Sequence, residues 1–187
     1  MRVSLRPDRL LSDYRGVTPQ LLREKGIRLL LCDLDYTLAP KSVKVPNDGV
    51  KLWIDTLKAA GITVMILSNN RSGKRVNDFC RALGIDYEGH AQKPLPRGLR
   101  RAMSRAGVTP AETAMLGDKL LTDVLAANLS GVTALMVEPV GGAATLWQKV
   151  LHALQAPFKA MAREKEELSL TIWNGSPPIW ASWMPCC

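Results

Sequence analysis

Apolar runs and amphipathic stretches alternate along most of the chain. Continuous apolar runs predict strands buried on both faces, as in a parallel sheet. Four clear runs and one weaker run occur, at residues 27–33, 62–68, 113–118, 133–139 and, more weakly, 85–91. Between the runs, apolar residues recur at i, i+3, i+4 and i+7, which predicts helices that cover the sheet. The alternation predicts a doubly wound α/β fold (Rossmannoid) with a parallel sheet of about five strands and right-handed crossovers.

The predicted helices begin and end at residues that favour helix termini. Their starts and stops are Thr18-Pro19 for a short first helix, Asn47 to Gly61, Ser72 to Gly84, residues 95–106 before Gly107, and residues 120–130 before Gly131. Three segments follow from this pattern. Residues 1–26 form a basic lead-in with the short helix, residues 27–160 form the α/β domain, and residues 161–187 form a charged, tryptophan-rich tail that is either ordered at an interface or disordered.

Polar and ionisable side chains follow the predicted strands where each strand ends. Asp33 ends the first run with Asp35 just beyond it, and Asp118 ends the run at 113–118. Ser68, Asn69, Lys93 and Asp123 also follow strand ends. Ligands of open parallel sheets bind beyond the carboxyl ends of the strands, so we expect these residues to converge on one site.

Carboxylates this close together repel each other unless a cation lies between them. Hard oxygen ligands without a nearby Cys or His suit Mg²⁺. Ser68 and the amides around Asn69 can donate to a phosphate, and Lys93 can neutralise negative charge. The set therefore predicts phosphoryl-transfer chemistry.

Four segments, DLDYTL, ILSNN, KP and GDKLLTD, resemble the motifs of the haloacid dehalogenase (HAD) superfamily of aspartyl phosphatases. They occur in the family's order and cover roughly residues 27–140. The segments SNN…RV, KP and GDxLxTD are similar to those of subfamily IIIA. Together with the lead-in RPDRLLSDYRGVTPQLLREKGIR, they resemble the YqeG-like branch, which is related to phosphatidylglycerophosphate phosphatases.

The resemblance implies a catalytic pair. Asp33 would be the nucleophile that forms an aspartyl-phosphate. Asp35 would first protonate the leaving alcohol and then activate water, and its main-chain carbonyl would bind Mg²⁺. Lys93 would steady both the phosphate and Asp33.

The resemblance also implies the remaining ligands. Ser68 would hold the phosphate with Asn69. Asp118 would ligate Mg²⁺, and Asp123 would be either a further ligand or a neighbour that positions the ligands. Thr37 would brace the loop that carries Asp35.

These residues also have ordinary structural interpretations. Residues 68–70 can cap the helix that follows them. Asp118 and Asp123 can be exposed acids near a helix start, and Lys93 alone would be a surface lysine. The motifs in company favour the catalytic interpretation.

Three further residues lie close to the motifs. Arg75 and Asn128 are predicted on helix surfaces, with a supporting role as the alternative. Tyr36 stands where relatives often have Asn or Gly, which tolerate positive φ better than a bulky aromatic does. Either the loop avoids that conformation or it holds strain.

The spacing of the motifs leaves no room for a cap domain. Asp33 and Ser68 are 35 residues apart, and Ser68 and Lys93 are 25 residues apart. One helix and one strand fill each gap, whereas a separate domain needs roughly 50 residues or more. We therefore expect an open site that acts on a phosphate of something large, such as a macromolecule, a protein tail or a membrane lipid.

Charge leaves several partners open. The formal charge of +8 is compatible with phosphorylated small molecules, anionic membranes and nucleic acid. The lead-in interleaves basic and apolar residues, and the third helix carries Arg97, Arg101 and Arg105 at four-residue intervals. Both patterns suit an anionic bilayer surface as well as an ordinary solvated face.

Targeting signals are absent from the pattern. No apolar run reaches the roughly 18 residues of a membrane span, and the start has no signal-peptide apolar region. Cys32, Cys80, Cys186 and Cys187 show no disulfide or zinc spacing, and the first two fit a core. We expect a cytoplasmic protein, with at most peripheral membrane contact.

The sequence thus predicts a Mg²⁺-dependent phosphomonoesterase acting on a large or membrane-bound ester. By resemblance, phosphatidylglycerophosphate is the favoured substrate, and phospholipid biosynthesis is the expected setting. A phosphatase for nucleotides or other small soluble phosphates is the alternative within the class. A noncatalytic basic module that binds RNA or the ribosome is the alternative of another class.

Overall fold

The apolar runs form the centre of a parallel six-stranded sheet in a computed structural model, which describes residues 4–70 and 73–140. The strands, in chain order, are β1 (Arg9–Leu11), β2 (Leu29–Cys32), β3 (Thr63–Leu67), β4 (Asp86–Glu88), β5 (Thr113–Gly117) and β6 (Thr133–Val137). Their order across the sheet is β1-β6-β5-β2-β3-β4, and every neighbouring pair is parallel. The predicted α/β parallel architecture is confirmed.

Helices follow the strands at the predicted places. They are α1 (Pro19–Glu24), α2 (Asp48–Ala59), α3 (Gly73–Leu83), α4 (Arg97–Ala106) and α5 (Leu125–Ser130). Asn47 caps α2 by accepting from the amide of Val50 at 2.9 Å. The predicted helix over residues 120–130 differs at its start, because Leu120–Val124 form a π-helical turn before α5. That wider turn lies directly after the site residues of β5, where such turns are common.

The two faces of the sheet have separate apolar cores, because successive side chains of a strand point to opposite faces. Leu30 and Cys32 pack with residues of α2 and α3 on one face. Leu29 and Leu31 pack with residues of α4 and α5 on the other. The two layers hold the central strand β2 rigidly, and β2 leads into the first acidic motif. Cys32 and Cys80 are both buried and free, as expected for core residues.

The lead-in contributes a sixth strand that the pattern did not predict. Arg9–Leu11 pairs with β6 at the edge of the sheet, and the side chain of Leu10 is buried in the core on one face of the sheet. A strand of three residues with one buried side chain is too short to give a periodic signal. Residues 1–26 were expected to hold only the short helix, but their described part also belongs to the sheet.

The lead-in also packs firmly on α2. Tyr14 meets Trp53 edge to face, with ring centroids 5.1 Å apart, and Trp53 donates its indole N–H to the Val17 carbonyl at 2.9 Å. Asn128 of α5 donates to the carbonyls of Ser4 and Arg6. The apolar residues of this segment therefore serve the core.

Ion pairs hold part of the arginine row on α4. Arg101 contacts Glu88 at 2.8 Å, and Arg105 contacts Glu88 and Asp86 at 3.2 and 3.5 Å. Arg97 is exposed. Two of the three arginines thus tie α4 to β4, although all three remain exposed to solvent.

The described residues contain one loop, helix and strand between the first two motifs, and no second domain covers the site within them. None of their helices is long and apolar enough to cross a membrane. The end of the predicted α/β domain and the tail, residues 141–187, lie outside the described residues.

Candidate active site

The carboxyl ends of β2, β3 and β5 open into a cleft of about 570 Å³. Its lining includes five residues that the sequence selected, Asp33, Asp35, Ser68, Asn69 and Lys93. Asp118 and Asp123, the other two, are buried beside it. The structure thus brings together all seven predicted site residues.

Asp33 lies directly after β2, and its backbone N–H continues the ladder to the Leu116 carbonyl at 2.8 Å. Its carboxylate contacts the ammonium of Lys93 at 2.8 Å and that of Lys119 at 3.5 Å. Burial disfavours the charged carboxylate, but Lys93 and then Lys119 outweigh burial and hold the pKa of Asp33 below its usual value. The residue is therefore an ionised, positioned carboxylate at the floor of the cleft.

Lys93 is almost fully buried, and three oxygen atoms surround its ammonium group. Besides Asp33 it contacts Asp123 at 2.7 Å and donates to the Leu67 carbonyl at 2.9 Å. Burial opposes the charge, but Asp123 and Asp33 outweigh it and raise the pKa of Lys93. A surface position for Lys93 is excluded.

Asn69 fixes the backbone that carries Lys93. Its side-chain amide donates to the Lys93 carbonyl at 2.9 Å, and its side-chain oxygen accepts from the Lys93 N–H at 2.8 Å. The side chain of Asn69 is thus committed to positioning Lys93. A contact between Asn69 and a phosphate would have to come from its main chain. Ser68 accepts from the Asn70 N–H at 3.1 Å, which leaves its own O–H free to donate.

Asp123 faces Lys93 with one oxygen and accepts from the Lys119 backbone N–H with the other, at 3.1 Å. Of its two expected roles, this arrangement favours positioning Lys93 over direct metal ligation. The carboxylate also packs on Gly117, where an added Cβ would lie 2.4 Å from Asp123. Only glycine at that strand end leaves room for Asp123.

Asp118 accepts from the Thr37 hydroxyl at 3.2 Å and from the Lys119 ammonium at 2.5 Å. Thr37, which belongs to the loop that carries Asp35, therefore also holds the carboxylate of Asp118 in place. Burial raises the pKa of Asp118 to about 6, against the effect of Lys119 and with a smaller contribution from Asp123. Because burial disfavours the ionised form of Asp118, its carboxylate is stabilised by a cation placed beside it.

Asp35 occupies a separate electrostatic environment. Arg75 of α3 pairs with its carboxylate and donates to the carbonyls of Val43 and Pro40, at 3.0 and 2.9 Å. Arg75 was predicted on a helix surface, but it fixes both the acid and the loop behind it. The two residues are 40 positions apart, so nothing in the local sequence indicates the pair.

Tyr36 adopts the left-handed conformation with φ of 70°. Of the two alternatives for this loop, the structure shows the strained one. The loop keeps the conformation that favours Asn or Gly, and an aromatic residue occupies it. The Tyr36 carbonyl accepts from Val140 at 2.7 Å, and its ring lies 5.9 Å from the ammonium groups of both Lys41 and Lys119. The ring therefore lies near two lysines that line the cleft.

The donor set fits a divalent metal ion. Carboxylate oxygens of Asp33, Asp118 and Asp123 lie within 4.8 Å of one another, and all three residues are buried. Because Asp123 pairs with Lys93, the carbonyl of Asp35 supplies the third hard oxygen beside Asp33 and Asp118, and all three contact the Lys119 ammonium. The side chain of Asp35, which pairs with Arg75, would not take part.

Comparisons with known proteins agree with this geometry. A family model described as hydrolase, haloacid dehalogenase-like hydrolase, matches residues 8–131. The chain is 35% identical over 136 residues to the "Probable phosphatase YqeG" of Bacillus subtilis, covering 72% of this chain and 77% of that one.

Two further relatives are more distant. "Phosphatidylglycerophosphate phosphatase 1, chloroplastic" of Chlamydomonas reinhardtii is 28% identical over 171 residues, which cover 87% of this chain and 60% of that one. "3-deoxy-D-manno-octulosonate 8-phosphate phosphatase KdsC" of Salmonella typhimurium is 28% identical over 119 residues, which cover 58% of this chain and 62% of that one.

The raised pKa of Asp118 predicts an unusual pH dependence for the metal-free protein. As the pH falls through about 6, the folded state binds a proton that the unfolded state takes up only near 3.8. The Asp118 contribution to stability is therefore present at pH 4 and lost as the pH rises through 6. Urea unfolding in chelator should show a free energy of unfolding about 1 kcal/mol larger at pH 5 than at pH 7.5, because part of the Asp118 contribution is already lost between pH 3.8 and 5. Asp118→Asn should remove most of that difference, and an unchanged difference in the variant would contradict the assignment.

The contact between Gly117 and Asp123 predicts that Gly117→Ala destabilises the protein. The new methyl group must push the Asp123 carboxylate off Lys93, which should lower the free energy of unfolding by about 1–3 kcal/mol. Gly49→Ala is the matched control, because its nearest neighbours lie 3.4 Å away and it stands in α2. Urea unfolding of both variants measures the difference, and equal stabilities would show that Asp123 can move freely.

Proposed function

This chain belongs to the haloacid dehalogenase-like hydrolases and is a phosphatase, and we propose that it hydrolyses phosphate monoesters with Mg²⁺ through an aspartyl-phosphate. The observation that carries the proposal is the buried ion cluster at the cleft floor. Lys93 holds Asp33 ionised and fixed, with the carboxylate facing the cleft. An ionised carboxylate in a fixed position is what nucleophilic attack on phosphorus requires.

The first half-reaction uses the two motif aspartates. A carboxylate oxygen of Asp33 forms a bond to phosphorus while the ester P–O bond breaks, and the leaving oxygen takes a proton from Asp35. Arg75 keeps Asp35 at the cleft wall during this step. Ser68, whose hydroxyl is free to donate, would hold a phosphate oxygen, together with main-chain amides near Asn69.

The second half-reaction restores the enzyme. Asp35, now ionised, takes a proton from a water molecule as that water attacks phosphorus, and the bond to Asp33 breaks to release inorganic phosphate. Asp33, Asp118 and the carbonyl of Asp35 would hold Mg²⁺, which would neutralise phosphate charge when bound.

We further propose that the substrate is a large or membrane-bound ester, with phosphatidylglycerophosphate favoured. The name of the Chlamydomonas relative supports this, as does a cleft that no second domain covers among the described residues. An open cleft admits a phosphate that is attached to a surface. The proposal places the protein in the cytoplasm, in peripheral contact with an anionic membrane.

Two exposed leucines support a membrane-facing rim. Leu95 and Leu121 are each about half exposed, at 51% and 52%. Leu95 follows Lys93 by two residues, and Leu121 lies between Lys119 and Thr122, which line the cleft. Apolar side chains close in sequence to a basic opening suit an anionic bilayer better than the lead-in does, because most apolar residues of the lead-in are buried in the core.

A second candidate is a soluble phosphatase for small molecules. Similarity to the Salmonella sugar-acid phosphatase favours it, and the same residues would perform the same chemistry. The two candidates differ only in what surrounds the phosphate.

Phosphate release from matched substrates tests the proposal. With Mg²⁺, the protein should hydrolyse phosphatidylglycerophosphate in anionic vesicles faster than sugar phosphates or nucleotides at equal phosphate concentration. Asp33→Asn should lose activity by at least about 10³-fold. Asp55→Asn, an exposed change on α2, is the control and should retain it.

Four outcomes would contradict parts of the proposal. If the protein releases phosphate from none of the esters, the proposed hydrolysis is wrong. If Asp33→Asn keeps full activity, the proposed aspartyl-phosphate mechanism is wrong. Equal turnover of soluble esters and vesicles would favour the small-molecule candidate. An RNA mobility shift unaffected by Asp33→Asn, with no phosphate release, would favour a noncatalytic binding module.

The leucine rim predicts a separable membrane effect. The double change Leu95→Ser and Leu121→Ser should weaken sedimentation with anionic vesicles by roughly tenfold, because two apolar side chains no longer enter the bilayer. Turnover of a soluble ester should stay the same. Leu52→Ser is the matched control, since Leu52 is 70% exposed in the middle of α2. Equal vesicle binding by the double variant and the wild type would show that the leucines do not form the contact.

A further inference from the structure

Lys119 places a positive charge among the oxygens proposed for the metal. Its ammonium lies 2.5 Å from Asp118, 3.1 Å from the Asp35 carbonyl and 3.5 Å from Asp33. Asp33, Asp118 and the Asp35 carbonyl are the groups that would hold Mg²⁺ under the proposed function. Burial disfavours the charge, but Asp33 and then Asp118 outweigh it and raise the pKa of Lys119.

The ammonium and a divalent ion cannot occupy this place together. Mg²⁺ binds its oxygen ligands at about 2.1 Å. An ion at that distance from Asp118 and the Asp35 carbonyl would overlap the Lys119 nitrogen, which lies only 2.5 and 3.1 Å from the same two oxygens. The ligand set is therefore either paired with Lys119 or bound to metal.

The lysine is anchored at its backbone and movable at its tip. Its N–H donates to Asp123, so the start of the side chain is fixed. The side chain is 38% exposed, whereas that of Asp118 is 7% exposed. The ammonium can therefore withdraw into the cleft, which it lines beside the ring of Tyr36.

In the metal-free protein, Lys119 balances part of the negative charge of the site. Asp33, Asp118 and Asp123 bring three buried carboxylates, which Lys93 and Lys119 partly neutralise. Without Lys119, Asp118 would lose its ion pair and Lys93 would be the one ammonium group left among three buried carboxylates, and unpaired buried charges are destabilising.

We propose that Lys119 is a built-in competitor of the divalent ion, a tethered cation that fills the metal position in the metal-free protein and must leave when metal enters. This inference rests on the metal part of the proposed function. Its consequence is that divalent affinity is lower than the oxygen set alone would give. The metal-free site is in turn more stable than three bare carboxylates would allow.

Calorimetric titration of the full chain with Mn²⁺ and with Mg²⁺, without substrate, tests the inference. Lys119→Met keeps the length of the side chain but removes its charge, and it should bind the ion about tenfold tighter or more. Lys41→Met is the matched control. Lys41 lines the same cleft at the same 5.9 Å from the Tyr36 ring, but it makes no ion pair with the acids, so its removal should leave the affinity unchanged.

Melting temperatures give a second readout that does not depend on activity. In chelator, Lys119→Met should melt below the wild type, and saturating Mg²⁺ should raise its melting temperature by more than that of the wild type. Equal or weaker ion binding by Lys119→Met would overturn the competition while leaving the proposed metal requirement intact. Absence of ion binding in both proteins would overturn the inference together with the metal part of the proposed function.

Discussion

The site depends on one interaction, the buried ammonium of Lys93 held by Asp33, Asp123 and the Leu67 carbonyl. A buried ion is tolerated only where each of its hydrogen bonds has a partner, so the surrounding elements have little freedom to shift. The end of β2, the end of β3 and the turn after β5 must all arrive at one point. Gly117 and the paired amide of Asn69 are consequences of that convergence, one by leaving room and the other by fixing the backbone.

This arrangement separates two carboxylates that are neighbours in sequence. Asp33 lies against two lysines at the floor of the cleft, whereas Asp35 is held at its wall by Arg75. The proposed chemistry requires one acid that stays ionised to attack and another that gives and takes a proton. In the proposed mechanism the chain obtains both from residues two positions apart. Asp33 still pairs with β5 through its backbone N–H, whereas Asp35 enters the turn that follows, which begins with the left-handed Tyr36.

The local sequence pattern was enough to predict the buried strands and the residues at their ends. A strand buried on both faces is a continuous apolar run, and the polar site residues follow directly after it in the sequence. It was not enough for β1, whose three residues gain their strand conformation only by pairing with β6. Arg75 was misplaced because its partner is 40 positions away. Lys119 lay inside a recognised motif, yet its direction is set by the turn after β5 and by Asp123, which no spacing rule describes.

Because the buried ion cluster at the floor of the cleft is so constrained, selectivity among substrates is expected to come from the residues around the cleft opening. The charges that act on phosphorus are fixed by burial and by mutual pairing, so they would treat any phosphate monoester alike. Under the proposed function, discrimination would come from groups around the opening. Lys41 lines the cleft with the ring of Tyr36 near it, and Leu95 and Leu121 are exposed close in sequence to cleft residues. Without a covering domain among the described residues, these groups meet the remainder of the substrate, or the surface that carries it, before the phosphate reaches Asp33. Under the proposed function, substrate choice would therefore depend on the residues around the opening, whereas the reaction would depend on the buried charges at the floor of the cleft.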